Sequence, residues 1–165
     1  MTWSIQRLER KHDRSAFDCG VPSLNGYLQR LASQHARKGI SRSYVAVPTG
    51  QHLVQGFYSL ATGRMALADI PENVRRRLPS YPIPTAHLGQ LAVDRCVQGQ
   101  GLGEALLFDA LQRTARVSEE LGIYAVTVDA LGPRARAFYL KYGFVAIDAD
   151  PLHLYLEMKV VRQLI

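Results

Sequence analysis

Apolar residues along the chain follow two spacings, which separate predicted strands from predicted helices. Residues 2–8 alternate loosely and predict a first strand. Apolar positions spaced i, i+3, i+4, i+7 over residues 24–31 give one buried helix face, which predicts a helix over 22–37 with a glycine cap at 39. Residues 41–47 and 52–62 then predict two strands joined as a hairpin. The first part of the chain therefore predicts strand, helix, strand, strand.

The rest of the chain alternates strands with helices. Prolines make 79–84 a predicted loop, because each lacks an N–H and restrains the residue before it. The elements predicted after residue 70 are a short helix at 71–78, a strand at about 85–93, a helix at 102–120, a strand at 123–129, a helix at 133–142 and a closing hairpin of 144–147 and 152–158. This order predicts an α/β fold, with a single mixed central β-sheet flanked by helices on both faces, in one domain spanning residues 1–165.

Charge and cysteine usage narrow the class of protein. Twenty Lys and Arg residues against fourteen Asp and Glu give a net charge of +6, which favours a polyanionic partner or simply gives a basic surface that aids solubility. Cys19 and Cys96 form no metal-ligand spacing and fit a reducing compartment. The N-terminus has no apolar signal region, and no apolar run approaches about 18 residues. These features predict a cytoplasmic protein without a membrane segment.

The most informative stretch is a glycine-rich turn between the strand at 85–93 and the helix at 102–120. Gly99, Gly101 and Gly103 allow a tight turn and close approach to a ligand, and the helix start directs free N–H groups at that turn. The stretch does not complete the G-x-G-x-x-G pattern of dinucleotide sites, and Glu104 stands where a Walker A loop needs lysine. The turn therefore indicates a main-chain phosphate site of another kind, or a turn without a ligand.

Two motifs carry a resemblance to a known family. Gln98-x-x-Gly101-x-Gly103 resembles the acetyl-CoA pyrophosphate loop of the GNAT N-acetyltransferases, and residues 135–144 resemble the A-x-x-F-Y-x-x-x-G-F segment that closes the GNAT fold. The resemblance implies that fold, acetyl-CoA as co-substrate and no metal. It also implies acetyl-CoA contacts from Leu91, Ala92, Val93, Gln98, Gly99, Gln100, Gly101, Leu102, Gly103, Glu104 and Phe138.

Within that family, the chain most resembles the toxins of type II toxin–antitoxin systems that acetylate aminoacyl-tRNA. The segments behind this resemblance are 17–28, 41–47, 56–62, 82–84 and 91–94. It implies acetylation of the α-amine of charged tRNA, inhibition of translation, a neutralising ribbon–helix–helix antitoxin, repression at operator DNA through the antitoxin complex, and a homodimer. Gln90 departs from the arginine that the resemblance implies before Leu91.

The chemistry of acetyl transfer suggests roles for individual residues. A main-chain N–H of the central strand, that of Ala92 or Val93, would stabilise the developing oxyanion. Tyr139 is the expected proton donor to the departing thiolate, because a phenol with a pKa near ~10 is protonated at neutral pH, and the resemblance implies a place beside the sulfur. Core packing is the alternative role for Tyr139. Tyr142 is the weaker donor candidate.

The acceptor amine imposes its own requirement. An α-amine with a pKa of ~7.7–8.0 is partly neutral near pH 7.5, whereas a lysine amine near ~10.4 needs a base. The matched segments offer no compelling base, since the helix dipole accounts for Glu104, and His87 suits a core or edge position. The sequence therefore favours an α-amine acceptor without a dedicated base.

Basic residues supply candidates for holding tRNA phosphates. These candidates are Lys38, Arg42, Arg75, Arg76, Arg77, Arg134 and Arg136. Two other functions remain open: a GNAT enzyme acting on a small amine or protein N-terminus, and a non-enzymatic basic domain that binds nucleic acid.

Overall fold

A computed structural model describes residues 2–147 and 149–165. The strands are β1 (Trp3–Arg7), β2 (Arg42–Pro48), β3 (Gly56–Met65), β4 (Ile83–Val93), β5 (Ala125–Asp129), β6 (Val145–Ile147) and β7 (Asp150–Glu157). The α-helices are α1 (Pro22–Gly26), α2 (Ala32–Arg37), α3 (Glu72–Arg75), α4 (Leu102–Val117), α5 (Pro133–Lys141) and α6 (Met158–Leu164). Short 3₁₀ turns cover Leu67–Asp69 and Arg95–Val97.

The strands form one mixed sheet of seven in the order β1-β2-β3-β4-β5-β7-β6. β1 pairs antiparallel with β2, and β2 with β3, whereas β4 and β5 run parallel. β7 lies between β5 and β6 and is antiparallel to both. The predicted α/β fold with a single mixed central sheet is confirmed.

The chain divides into two compact units, which β3 and β4 both pass through. The first unit contains the described residues up to Ala61 together with Gly89–Ala110, and the second contains Thr62–Leu88 and the described part of Leu111–Ile165. Each unit has its own apolar core. Phe17 packs edge-on against Phe57 in the first, and Met65 and Tyr155 belong to the core of the second. A single domain for residues 1–165 stays a prediction.

The predicted helix over 22–37 is interrupted by one π-helical turn, Tyr27–Leu31, between α1 and α2. Ala32 donates its N–H to the carbonyl of Tyr27, five residues earlier, and therefore not to that of Leu28. The guanidinium of Arg14 takes the vacated position, with Nη1 2.8 Å from the Leu28 carbonyl oxygen and Nη2 2.9 Å from Ser33 Oγ. The spacing of apolar residues over 22–37 does not predict this π turn, because Arg14, the side chain that bonds to the Leu28 carbonyl, lies outside the helical segment.

Several predicted boundaries were wrong. β3 begins at Gly56 rather than at 52, because the preceding residues turn away to pair with Asp13, which accepts from Val54 N at 2.9 Å. β4 begins at Ile83 inside the predicted proline loop. Pro84 still takes part in the pairing of β4, because its carbonyl accepts from Tyr124 N at 2.9 Å. The strand lacks only the N–H donor that a proline does not have.

The C-terminal elements also differ from the prediction. α4 ends at Val117, β5 begins at Ala125, and the last strand ends at Glu157. Helix α6 follows directly and was not predicted; it buries Met158 and Val161. Both cysteines are free thiols. None of the helices in the described ranges has the length and apolar character needed to cross a bilayer.

Candidate active site

The segment between β4 and α4 is held by its own side chains. Asp94 accepts from Cys96 N at 2.9 Å through Oδ1, and from Asp18 N at 3.0 Å through Oδ2. The Gln98 side-chain amide donates to the Val93 carbonyl at 2.9 Å and to the Cys19 carbonyl at 3.3 Å. This amide therefore fixes the loop against the end of β4, so a phosphate contact by Gln98 would come from its main chain.

The glycine turn requires glycine because of its backbone conformation. Gly99 and Gly101 have φ of +80° and +88°, in the left-handed region that L side chains rarely adopt. No atom lies within 4 Å of the position that a Cβ would take at either residue. The backbone is therefore open on the side that the missing side chains would occupy, which suits the close approach of a ligand.

Helix α4 begins at this turn and directs its first amides toward it. Ala105 N donates to the Gly101 carbonyl at 3.1 Å, and Leu102 and Gly103 lie earlier in the first turn of α4, where N–H groups have no intrahelical acceptor. A Cβ at Gly56 would lie 2.9 Å from a Leu106 methyl and 3.2 Å from the Ala92 carbonyl oxygen. α4 therefore lies against β3 and the end of β4, and its positive dipole end is fixed in place. These features fit a diphosphate.

β4 changes its pairing along its length. In the described chain it pairs with β5 only from Thr85 to Leu88. The predicted pantetheine-contacting residues Leu91, Ala92 and Val93 lie beyond the last pair, within the first unit. Because Leu91, Ala92 and Val93 are not paired with β5, their main-chain groups on that edge of β4 can bond to a ligand.

Tyr139 lies on α5 with its ring buried and its hydroxyl uncommitted. The ring makes edge contacts with Phe138, at 5.2 Å between ring centroids, and with Phe144, at 5.3 Å. The hydroxyl makes no hydrogen bond to any residue in the described ranges. Burial raises the pKa of Tyr139, so the phenol stays protonated at neutral pH. The packing role and the donor role are thus compatible, and the donor role stays a prediction.

A cluster of titratable side chains in the second unit was not predicted from the sequence. It consists of His87, Asp129 and His153 and is named here the His–Asp–His cluster. Asp129 Oδ1 lies 2.5 Å from His153 Nδ1, and Asp129 Oδ2 lies 3.5 Å from His87 Nε2. His87 Nδ1 lies 2.8 Å from Thr127 Oγ1. Burial lowers the pKa of His87, and His153 lowers it further, while the Asp129 carboxylate opposes both. Only the register, which aligns His87 with Thr127 and Asp129 with His153, brings these residues together.

The predicted tRNA-binding residues divide between the units. Lys38 and Arg42 belong to the first, and Arg75, Arg76, Arg77, Arg134 and Arg136 to the second. Two of them have structural bonds, since Arg42 Nη1 donates to the Ala36 carbonyl and Arg136 Nε to the Pro151 carbonyl at 2.9 Å.

Arg42 also lines a pocket of about 320 Å³ in the first unit, named here the arginine cleft. Four further arginines, which the sequence analysis did not select, line it: Arg7, Arg10, Arg14 and Arg37. Glu9 is the one acidic lining residue, and it pairs with Lys11 at 3.6 Å. Arg7, Arg10 and Arg37 are exposed and have no carboxylate partner within residues 2–147 and 149–165. The cleft is therefore suited to an anion.

Comparison with known proteins identifies the family. Residues 77–153 match the model of the acetyltransferase (GNAT) domain. A tRNA-acetylating toxin of Mycobacterium tuberculosis is 44% identical over 160 residues, which cover 97% of this chain and 95% of that protein. The chain belongs to the GNAT acetyltransferase family. The predicted family and the predicted fold class are therefore confirmed. The prediction that the chain is an enzyme, an acetyltransferase, is confirmed as well.

Solved structures extend the similarity to bound states of relatives. AtaT complexed with acetyl-methionyl-tRNAfMet matches with a TM-score of 0.91 and 30% identity, over 99% of both chains. A Tyr-to-Phe variant of AtaT, bound to the C-terminus of its antitoxin AtaR and to acetyl-CoA, matches at 0.83 and 28%, over 99% of this chain and 98% of that one. The KacTA–DNA complex matches at 0.83 and 30%, over 99% and 98%.

Proposed function

We propose that this acetyltransferase moves the acetyl group of acetyl-CoA to the α-amine of aminoacyl-tRNA and so inhibits translation. The observation that carries this proposal is the 44% identity to a tRNA-acetylating toxin along nearly the whole of both chains. A relative of the same fold, solved with an acetylated aminoacyl-tRNA, supports it.

Residues of the glycine turn and of α5 would have different roles in acetyl transfer. Acetyl-CoA supplies an activated thioester, and the amides around Gly101 and at the start of α4 would bind its pyrophosphate. A main-chain N–H of Ala92 or Val93 would stabilise the charge that develops on the carbonyl oxygen. Tyr139 would donate its hydroxyl proton to the departing thiolate and regain one from solvent. The remaining predicted acetyl-CoA contacts are neighbours of these groups in sequence: Gln98, Gly99, Gln100 and Glu104 lie on either side of Gly101, and Phe138 precedes Tyr139.

The partners follow from the same relatives. A cognate antitoxin would neutralise the enzyme and carry the complex to operator DNA, as the AtaT–AtaR and KacTA–DNA structures suggest. We expect the ribbon–helix–helix class for this antitoxin, a homodimeric enzyme, and a cytoplasmic location where charged tRNA is found.

Labelling experiments test the proposed function directly. Incubation with radiolabelled acetyl-CoA and total charged tRNA should place label on tRNA, and mild base, which cleaves the aminoacyl ester, should release it. Label that stays on deacylated tRNA, or never reaches tRNA, overturns the proposal. Label on small amines or protein N-termini instead would support the alternative GNAT function. A protein that binds no acetyl-CoA would support the non-enzymatic nucleic-acid-binding alternative.

The arginine cleft supports tRNA as the acceptor because it lies away from the pyrophosphate loop. Gly56 approaches Ala92 near that loop, and Gly56 pairs with Ala46 of β2. Arg42 pairs with Leu60, four residues further along, which is about 13 Å at the usual rise of a strand. An anion in the cleft is therefore a group other than the pyrophosphate, and phosphates of a bound RNA fit it.

Charge reversal in the cleft should weaken tRNA use without affecting acetyl-CoA. We expect the triple change of Arg7, Arg10 and Arg37 to Glu to raise KM for charged tRNA by about tenfold or more. It should also flatten the loss of affinity between about 50 and 200 mM salt, because each lost phosphate contact removes its share of counterion release. Arg116→Glu, on the exposed face of α4, is the matched control. Equal losses for tRNA and acetyl-CoA would contradict a role in RNA binding.

A further inference from the structure

The His–Asp–His cluster lies at the carboxyl end of the parallel strand pair. The last β4–β5 pair is Leu88 with Val128, and His87 and Asp129 flank it. Ligands of α/β sheets bind beyond the carboxyl ends of parallel strands, where the chain leaves the sheet and open space remains. Asp129 is accessible there, with 63% of its side chain exposed. The cluster therefore occupies a position suited to a substrate.

The hydrogen bonds fix which nitrogen of His153 is available. His153 Nδ1 donates to Asp129 Oδ1, so in the neutral imidazole the lone pair is on Nε2. Nε2 has no protein partner in the part of the chain that the structure describes, and 23% of the His153 side chain is exposed. An aspartate that holds one imidazole nitrogen while the other faces a reactant is the arrangement that makes histidine a general base.

His87 holds the opposite side of the carboxylate. Its Nε2 faces Asp129 Oδ2, and its Nδ1 faces the buried hydroxyl of Thr127. Two other charged groups near this end of β7, in the part of the chain that the structure describes, bond to the main chain: Arg136 of α5 donates to the Pro151 carbonyl, and Asp150 accepts from Leu152 N at 3.0 Å. Asp129 is therefore held between two imidazoles, with no cation of the described chain bonded to it.

Two other roles for the cluster fit less well. In the described residues, no group of three or more His, Cys, Asp or Glu side chains is arranged to hold a metal ion. Stabilisation of the fold is a weak explanation, because ion pairs of so exposed a carboxylate contribute only about 0–1 kcal/mol. What the geometry does offer is a negative charge for an ammonium group and a basic nitrogen for its proton.

We propose that the cluster is the acceptor site for a primary α-ammonium, in which His153 Nε2 takes the proton and Asp129 and His87 are positioning residues. For the identity of the acceptor, this inference rests on the proposed function. It also replaces the expectation that the enzyme works without a dedicated base and that His87 has only a packing or edge role.

The proton balance is complete with groups that the chain and its substrates supply. The ammonium loses one proton to His153 Nε2, and the resulting imidazolium is stabilised by Asp129. The neutral amine then forms the new C–N bond, the C–S bond breaks, and the thiolate takes the proton of Tyr139. The second proton of the amine passes to solvent as the amide forms, His153 returns its proton to solvent, and the Tyr139 phenolate regains a proton from solvent, so the net change is one proton released per acetyl group transferred.

The test is the pH dependence of kcat/KM for His153→Gln relative to wild type, with charged tRNA and with methionine methyl ester as acceptors. Without the base, the variant must use amine that is already neutral, and that fraction rises about 17-fold from pH 6.5 to 8.5 for a pKa near 7.8. We therefore expect kcat/KM of His153→Gln to be about 10²-fold below that of wild type at pH 6.5 and only about tenfold below it at pH 8.5. Asp129→Asn, which retains the shape and changes the tautomer of His153, should show the same trend.

Controls separate this role from a structural one. His52→Gln changes an exposed histidine of the first unit and should leave the profile unchanged. Acetyl-CoA affinity, measured by calorimetry, should be unchanged in both cluster variants. A deficit equal at every pH, or none, overturns the inference. Activity on the methyl ester but not on charged tRNA would overturn the proposed function while leaving the pH comparison measurable.

Discussion

Replacing Tyr139 with phenylalanine is expected to lower turnover by about 10²-fold or more, the range for loss of a general acid. Acetyl-CoA binding should be retained, because the ring packs through its edges against Phe138 and Phe144, and these contacts need no hydroxyl. The hydroxyl has no hydrogen-bond partner in the described chain, so its removal leaves no protein group unsatisfied. Single-turnover rates and calorimetry on the same preparation measure the two effects separately.

Tyr142→Phe is the matched control, since Tyr142 follows on the same segment and its ring also contacts Phe138. It should keep turnover within about twofold of wild type, because its hydroxyl has no assigned proton to transfer. Unchanged turnover in the Tyr139 variant would remove Tyr139 from the mechanism. A fall in thermal stability alongside the fall in rate would instead assign the Tyr139 hydroxyl a structural role.

Gly101→Glu is expected to abolish measurable acetyl-CoA binding, with a rise in Kd of about 10²-fold or more. Two effects act together. Gly101 has φ +88°, where a side chain strains the backbone by about 1–2 kcal/mol, and the new carboxylate would repel the diphosphate at the helix start. Calorimetric titration with acetyl-CoA measures the loss.

Two further variants separate these causes. Gly101→Ala carries only the backbone strain, so its Kd should rise by an intermediate factor of about ten. Gly122→Glu adds the same charge at a glycine with open space and without positive φ, away from the loop in sequence, and should bind acetyl-CoA normally. Normal binding by Gly101→Glu would show that this loop does not hold the pyrophosphate.

The sequence predicted those parts of the site that are encoded in contiguous residues. The glycine turn, the start of α4 and the place of Tyr139 on α5 each depend on short-range spacing, and the structure has a turn and helices where they were predicted. The strand boundaries were less accurate, because Pro84 and Ile83 enter β4 through pairing with a distant segment. Propensity alone gives no information about that partner.

The features that the sequence did not predict depend on register. His87, Asp129 and His153 are far apart in the chain, and each alone fits an edge or surface position. Their contact requires β7 to lie beside β5, an order that the succession of elements does not specify. The arginine cleft has the same origin, since its side chains come from the end of β1, the segment after it, α2 and the start of β2.

The hydrogen bond from the Arg14 guanidinium to the Leu28 carbonyl affects how α2 is rotated about the helix axis relative to α1. A π turn contains one residue more than the regular helix it interrupts, and a regular helix would be re-formed if that carbonyl recovered its N–H from Ala32. The residues after the turn would then rotate by about 100° and shift by about 1.5 Å. Arg37 would leave the wall that it shares with Arg42. Arg14, a side chain from outside the helix, thus stabilises the helical phase in which Arg37 faces the arginine cleft.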